Sequence, residues 1–242
     1  MQTELSMGTS KQTILGIAIP SAFILAYLGG NYLTQNLNVP LVENVQVNQI
    51  FIFQIYGLIL SFSALLLTIW LKPDSKNLLK FGNIQDGARA VQWLGIKEGE
   101  SWYGVAASYL IVITLVTTLF MYMGFGDKAD WSKLTPFLPF ILLFSITNSF
   151  SEELITRFSV VGLLHEVMKP STIMIASALI FGLPHYFGNP GGPVGVIMAG
   201  FLGWILAKSV LETKGIGVAW GVHFVQDVVI YSFLLTSNNL PK

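Results

Sequence analysis

Apolar residues in this chain come in long runs separated by short polar stretches. A helix that crosses a bilayer needs about 20 mostly apolar residues, because the hydrocarbon layer is about 30 Å thick. Five runs meet that length: Thr13 to Gly30, about Ile50 to Leu71, about Val105 to Gly124, about Val194 to Leu211 and Ile216 to Leu235. Three shorter candidates lie between the third and fourth: Leu134 to Thr147, a segment around Glu152 to Met168, and Thr172 to Pro184. The pattern predicts an all-α fold, a polytopic membrane helix bundle of seven or eight transmembrane helices. Residues 134–168 as one straight helix would be about 50 Å long at 1.5 Å per residue, so a break is expected near Asn148–Ser149.

Composition agrees with lipid as part of the solvent. Of 242 residues, 53% are hydrophobic and 11% charged, against roughly 25% charged in an average globular domain. The 13 basic and 13 acidic residues cancel, so no basic surface advertises nucleic acid. Cysteine is absent, which excludes a disulfide framework and thiolate metal sites. The first run has only Lys11 on its flank, is long for a signal-peptide core and is followed by no clean cleavage site, so it reads as an uncleaved span. The whole chain, 1–242, reads as a single membrane domain.

Basic residues orient it. The loop 72–102 holds Lys72, Lys76, Lys80, Arg89 and Lys97, whereas Asn31 to Asn48 holds none. The positive-inside rule puts the basic loop, and with it the N-terminus, on the cytoplasmic side of a cell membrane. Lys128, Lys133, Lys169, Lys208 and Lys214 add only a weak vote. Within the basic loop, Ile84 to Ile96 with Trp93 is expected to lie in the interface as a short helix.

Ionisable residues inside apolar segments carry the functional signal, since each costs at least about 2.5–3.5 kcal/mol at the bilayer centre. The first three spans hold none. Three later segments hold Glu152, Glu153, Arg157, His185, His223 and Asp227. Glu153 and Arg157 are four apart and share a helix face, while Glu152 is rotated about 100° away. That leaves Glu152 without a local counter-charge, suited to acid–base work. The bland alternative is a capping box, Ser149-Phe-Ser-Glu152, in a first helical turn. Phe181-Gly-Leu-Pro-His185 ends an apolar run, where Pro184 frees backbone groups that only a protein-lined or watery cavity tolerates. His223 and Asp227 share a face inside the last span. His165, beside Glu166 and Lys169, reads as solvated. Gly191-x-x-x-Gly195 and Gly217-x-x-x-Gly221 offer small faces for close helix approach, and Gly188 to Pro193 reads as a turn. One shared polar centre in the C-terminal half explains the segregation.

In this order the three patterns, Glu152–Arg157, Phe181–His185 and His223–Asp227, resemble the CPBP (Abi) family of intramembrane proteases, related to the type II CAAX prenyl endopeptidase. The family pattern is EExxxR, FxxxH, then HxxxN or HxxxD. The resemblance covers roughly residues 135–236, the catalytic CPBP-like core, and leaves 1–134 as N-terminal helices plus the basic loop. It implies an eight-helix bundle with a catalytic cavity opening within the membrane. It also implies an endopeptidase in which Glu152 and His185 activate a water, Glu153 is held by Arg157, and His223 and residue 227 line the oxyanion side. Its substrate would be a membrane-embedded peptide or protein, with no cofactor and no metal. Two departures stand out: an ionised Asp227 cannot donate to an oxyanion, and Phe158 follows Arg157 where members often have Gly. Two other functions compete: a zinc protease using Glu152, His185, His223 and Asp227 as ligands, and a non-catalytic membrane scaffold, immunity or transport protein.

Overall fold

The computed structural model describes residues 2–35, 37, 39–188 and 190–237, with side chains from Ser10 onward. Its helices are α1 (Gln2–Gln35), α2 (Val45–Leu71), α3 (Trp102–Phe125), α4 (Leu134–Glu153), α5 (Ser159–Leu164), α6 (Pro170–Gly182), α7 (Gly192–Thr213) and α8 (Gly217–Thr236). They make seven spans long and apolar enough to cross a membrane. Because α4 and α5 belong to one span, the described residues hold seven spans and not the eight implied by the resemblance.

The difference arises between residues 134 and 164. No break occurs at Asn148–Ser149: α4 runs through it, Ser149 Oγ donates back to Ser145 O at 2.5 Å, and the capping-box reading fails with it. The helix instead loosens one turn later into a π-helical turn, Leu154–Phe158, and continues as α5. The two short candidates are thus one span of 34 residues, Trp131–Leu164. At about 50 Å it overshoots the hydrocarbon layer and must tilt or protrude.

A π-turn frees carbonyls that a buried site must re-satisfy. Short hydroxyl side chains do this here. Thr156 Oγ1 donates to Glu152 O at 2.7 Å, Ser159 Oγ to Leu154 O at 3.0 Å and, from α6, Ser177 Oγ to Thr156 O at 2.9 Å. Thr68 of α2 donates to Ser159 Oγ at 2.9 Å. All five residues of the turn are fully buried.

Local chemistry sets the helix ends. Asn44 Oδ1 accepts from Val47 N at 3.0 Å to cap α2, and Ser101 Oγ accepts from Gly104 N at 3.4 Å to cap α3. Pro170 opens α6 at a position where its missing N–H costs nothing. The outward face of α3 exposes Ile111, Leu115, Leu119 and Met123, as suits a lipid-facing helix.

The predicted interfacial helix at Ile84–Ile96 is absent. A two-stranded hairpin, β1 (Gly87–Ala88) with β2 (Glu100–Ser101), takes its place, with only a single 3-10 turn at Gln92–Leu94. Gly95 and Gly99 both have φ of 75°, a left-handed backbone that stops a helix and lets the hairpin close. Trp93 remains exposed, its ring against Trp204 and Phe201 of α7.

The close helix approaches are not at the predicted glycine pairs. A Cβ on Gly221 would meet nothing, and Gly217 sits against Phe81 of the basic loop. The tight crossing is α6 on α7, where a Cβ on Gly182 would come within 2.8 Å of Gly200 Cα. Gly195 packs under the turn before α7, where a Cβ would lie 2.5 Å from His185 O. It fixes the height of the His185 segment.

The apolar core falls into two main clusters. One gathers α5, α6, α7 and the hairpin around Val160, Leu164, Ile205 and Trp102. The other gathers the opposite ends of α2, α4 and α8 around Ile50, Phe144 and Leu235. The ionisable residues lie between them.

Candidate functional site

Five of the six ionisable residues singled out from the sequence touch one another directly, and the sixth shares their cavity. α4 supplies Glu152 and Glu153 in its last turn, the π-turn supplies Arg157, and α8 supplies His223 and Asp227 one turn apart. His185 comes from the 3-10 turn Leu183–Phe187 that follows α6.

Glu153 and Arg157 form the expected ion pair, Oε2 to Nε at 3.2 Å, both fully buried. The contact lies off the hydrogen-bond axis, so Glu153 Oε2 and Arg157 Nε and Nη2 have no hydrogen-bond partner. Arg157 donates through Nη1 to Thr156 Oγ1, and its guanidinium lies 3.9 Å above the Phe181 ring centre. Such stacking recovers part of the cost of burying the cation. Phe181 therefore does more than mark the second motif: it covers Arg157 and contacts both His185 and His223 rings, at 4.6 and 5.4 Å between centroids.

His223 is the geometric hub, which the spacing alone did not indicate. Its Nδ1 is 2.8 Å from Glu153 Oε1, and its Nε2 is 3.7 Å from both Glu152 Oε2 and Asp227 Oδ1. A carboxylate can only accept, so Nδ1 carries the proton toward an ionised Glu153. The two 3.7 Å separations are too long for hydrogen bonds and leave Nε2 facing the cavity with two carboxylates beside it.

His185 makes no ion pair with Glu152. Its Nδ1–H donates to Phe181 O at 2.8 Å, which leaves Nε2 as the ring nitrogen turned to the cavity. The two groups meet across space, on the wall of a cavity of about 240 Å³ also lined by His223, Asp227, Gln226 and Tyr231. Glu152, Phe181 and His185 also line a second cavity of about 530 Å³, between α1 and the turn after α6, with Tyr27, Asn31 and Phe53.

Four polar residues of the centre were missed. Asn148 Nδ2 donates to Glu152 Oε1 at 3.2 Å and to Asp227 Oδ2 at 3.1 Å, so one amide ties both carboxylates together. Asn148 Oδ1 in turn accepts from Tyr27 OH at 2.8 Å, and Gln54 Nε2 donates to Tyr231 OH at 2.9 Å. Asn148 and Tyr231 each stand four residues from a charged member, and Gln54 is an amide in an otherwise apolar span; those were the available signals. Tyr27 offered none. His165 lies outside the centre, half-buried, with Nδ1 on Val161 O at 3.1 Å and Nε2 3.5 Å from Glu166. Phe158 is fully buried against Leu154 and Ile216, so its bulk is absorbed by packing. Among the described residues, no group of three His, Asp or Glu side chains has a spacing that could hold a metal ion.

Residues 134–229 match the family model described as type II CAAX prenyl endopeptidase Rce1-like. No curated protein and no solved structure matches the chain. The matched stretch contains Glu152, Glu153, Arg157, His185, His223 and Asp227, within a multi-pass bundle. Across that stretch the chain is similar to the CPBP (Abi)-family proteases of the Rce1-like kind.

Proposed function

We propose that this chain is an intramembrane endopeptidase of the glutamate-dependent type, hydrolysing a peptide bond of a membrane-associated peptide or protein. The observation that carries the reading is the convergence of Glu152, His185, His223 and Asp227 on one cavity wall within the span of the bundle. Shielded from bulk water, such groups act on a bound carbonyl with little reorganisation.

Glu152 is the general base. Its carboxylate takes a proton from a water molecule, and the hydroxide attacks the carbonyl carbon. The proton on Glu152 then passes to the departing amide nitrogen as the C–N bond breaks. His185, with Nδ1–H spent on Phe181 O, offers Nε2 as acceptor for the second proton of that water and so orients it. His223, held by Glu153 through its Nδ1–H, acts as the doubly protonated imidazolium and presents the second N–H, on Nε2, to the oxyanion. Asp227 accepts from Asn148 and faces His223, so it orients the imidazole and donates nothing to the oxyanion. Glu153 and Arg157 hold the arrangement in place. The chain sits in a cell membrane with its N-terminus cytoplasmic.

The test is comparative mapping of new peptide N-termini in membranes carrying wild type, Glu152→Gln or His185→Ala. New termini should appear with wild type and vanish with Glu152→Gln while the variant stays folded. An identical set from Glu152→Gln would overturn the reading and favour a scaffold role. Cleavage abolished by a chelator and restored by zinc would favour the metal-dependent alternative.

A further inference from the structure

Asn148 joins four helices through one amide. Its Nδ2 carries two hydrogens, enough for both Glu152 Oε1 at 3.2 Å on its own helix and Asp227 Oδ2 at 3.1 Å on α8. Its Oδ1 accepts from Tyr27 OH of α1 at 2.8 Å and from Gln54 Nε2 of α2 at 3.4 Å. The amide fits only one way round. Turned over, its oxygen would face two carboxylates that cannot donate, and its N–H groups would face two donors.

That bridge divides the labour of the carboxylate oxygens. Glu152 Oε2 and Asp227 Oδ1, the oxygens that Asn148 does not hold, each lie 3.7 Å from His223 Nε2. Among the described residues, Asn148 is the one hydrogen-bond donor to the Glu152 carboxylate. With Oε1 pinned, the carboxylate is not free to turn about its last bond, and Oε2 stays toward the cavity and His223.

Tyr27 is built to serve this amide. Its ring lies edge-on to Phe53 at 4.9 Å between centroids and packs over Gly57, where a Cβ would come 2.7 Å from Tyr27 Cε2. The side chain is buried, and its hydroxyl ends on Asn148 Oδ1. Packing thus holds the ring, and the hydroxyl alone addresses the site. Tyr27 and Gln54 both precede the matched stretch, residues 134–229, so α1 and α2 reach Glu152 through a single side chain.

We infer that Asn148, with Tyr27 behind it, is a positioning residue for Glu152: it selects Oε2 as the oxygen that takes the proton and keeps Asp227 from displacing it. The inference rests on the endopeptidase reading, and it makes the N-terminal helices part of the working site. Neither residue exchanges a proton with substrate.

New N-termini are mapped in membranes carrying full-length wild type, Tyr27→Phe, Asn148→Leu, the double variant or Glu152→Gln. The protein those termini identify is then titrated against each purified enzyme. Tyr27→Phe removes one hydroxyl and leaves the ring packing, so it should melt with wild type while kcat falls about 3–10-fold. Asn148→Leu, of similar volume, should lower kcat about 10²-fold. In both, KM should stay within about twofold of wild type, because the loss lies in the orientation of the base. Adding Tyr27→Phe to Asn148→Leu should cost nothing more, since Tyr27 acts through Asn148. Losses that multiply in the double variant, a loss confined to KM, or a wild-type kcat in Tyr27→Phe would each overturn the inference. Where Asn148→Leu fails to fold, the kcat of Tyr27→Phe decides alone. Unchanged termini in Glu152→Gln would bring down the endopeptidase reading and this inference together. Termini lost in Glu152→Gln but made at full rate by Tyr27→Phe would bring down the positioning role only.

Discussion

Two glutamate–cation pairs with the same spacing of four residues occupy opposite environments in this molecule. Beside the basic loop, Lys208 and Glu212 of α7 meet at 2.5 Å, and every arm of the pair finds a further partner. Lys208 Nζ donates to Arg89 O at 2.8 Å, while Glu212 Oε2 accepts from Trp102 Nε1 at 3.1 Å and from Arg89 N at 3.2 Å. In the buried centre, Glu153 and Arg157 meet at 3.2 Å and leave three polar atoms without hydrogen bonds. The first pair is a satisfied knot that ties the loop to the bundle. The second bears the cost of incomplete satisfaction and borders the groups proposed to do chemistry. Spacing finds both pairs; only the surrounding hydrogen bonds separate architecture from site.

That contrast is exposed to measurement. The largest effect is expected on rate alone. Glu152→Gln should reduce cleavage by about 10²–10⁴-fold while detergent-solubilised protein melts at close to the wild-type temperature. A variant that instead unfolds would make Glu152 a structural residue like Glu212. Arg157→Met should cost about 3–5 kcal/mol of stability, because it strands the Glu153 charge. Adding Glu153→Gln to it should recover most of that loss in the same melting assay. A milder loss, about 2 kcal/mol, is expected for Lys208→Met, since Glu212 keeps its Trp102 and Arg89 donors. Its folded fraction should cleave at the wild-type rate, and slower cleavage would break the division between knot and centre.

The smallest expected effect concerns a third pair, on the surface. Lys72, hydrogen-bonded to Glu166, holds that carboxyl below the usual carboxylate range. The contribution of a depressed carboxyl is present above its unfolded value of about 4.3 and disappears as pH falls through the lower folded value. Thermal stability should therefore drop slightly in that acid window for wild type and not for Glu166→Gln. An equal drop in both would remove the pair from the account.

The sequence carried the bundle and the membership of its centre unevenly. Long apolar runs suffice to locate spans, because lipid forces each one to satisfy its own backbone. Glu153–Arg157 and His223–Asp227 were legible because helical spacing alone brings each pair to one face. The hub role of His223 was not, since its 2.8 Å contact with Glu153 spans two helices whose relative rotation no local pattern encodes. Asn148 was read as part of a break on grounds of length, when it is the amide that joins Glu152 to Asp227. The hairpin after α2 was hidden by an apolar run resembling an interfacial helix, although Gly95 and Gly99 marked where that helix could not continue.

The π-turn has a consequence for how this chain tolerates length change. One surplus residue is accommodated between Leu154 and Phe158, so the rows of side chains before and after it are out of register by about 100° relative to a uniform α-helix. Deleting a single residue there should allow ordinary winding to resume and swing Glu152 and Glu153 away from α8 with the rest of α4. An insertion of the same size in an exposed loop would be absorbed without reaching the centre. The helix that carries the carboxylates is thus keyed, and its teeth mesh with α8 at one length only.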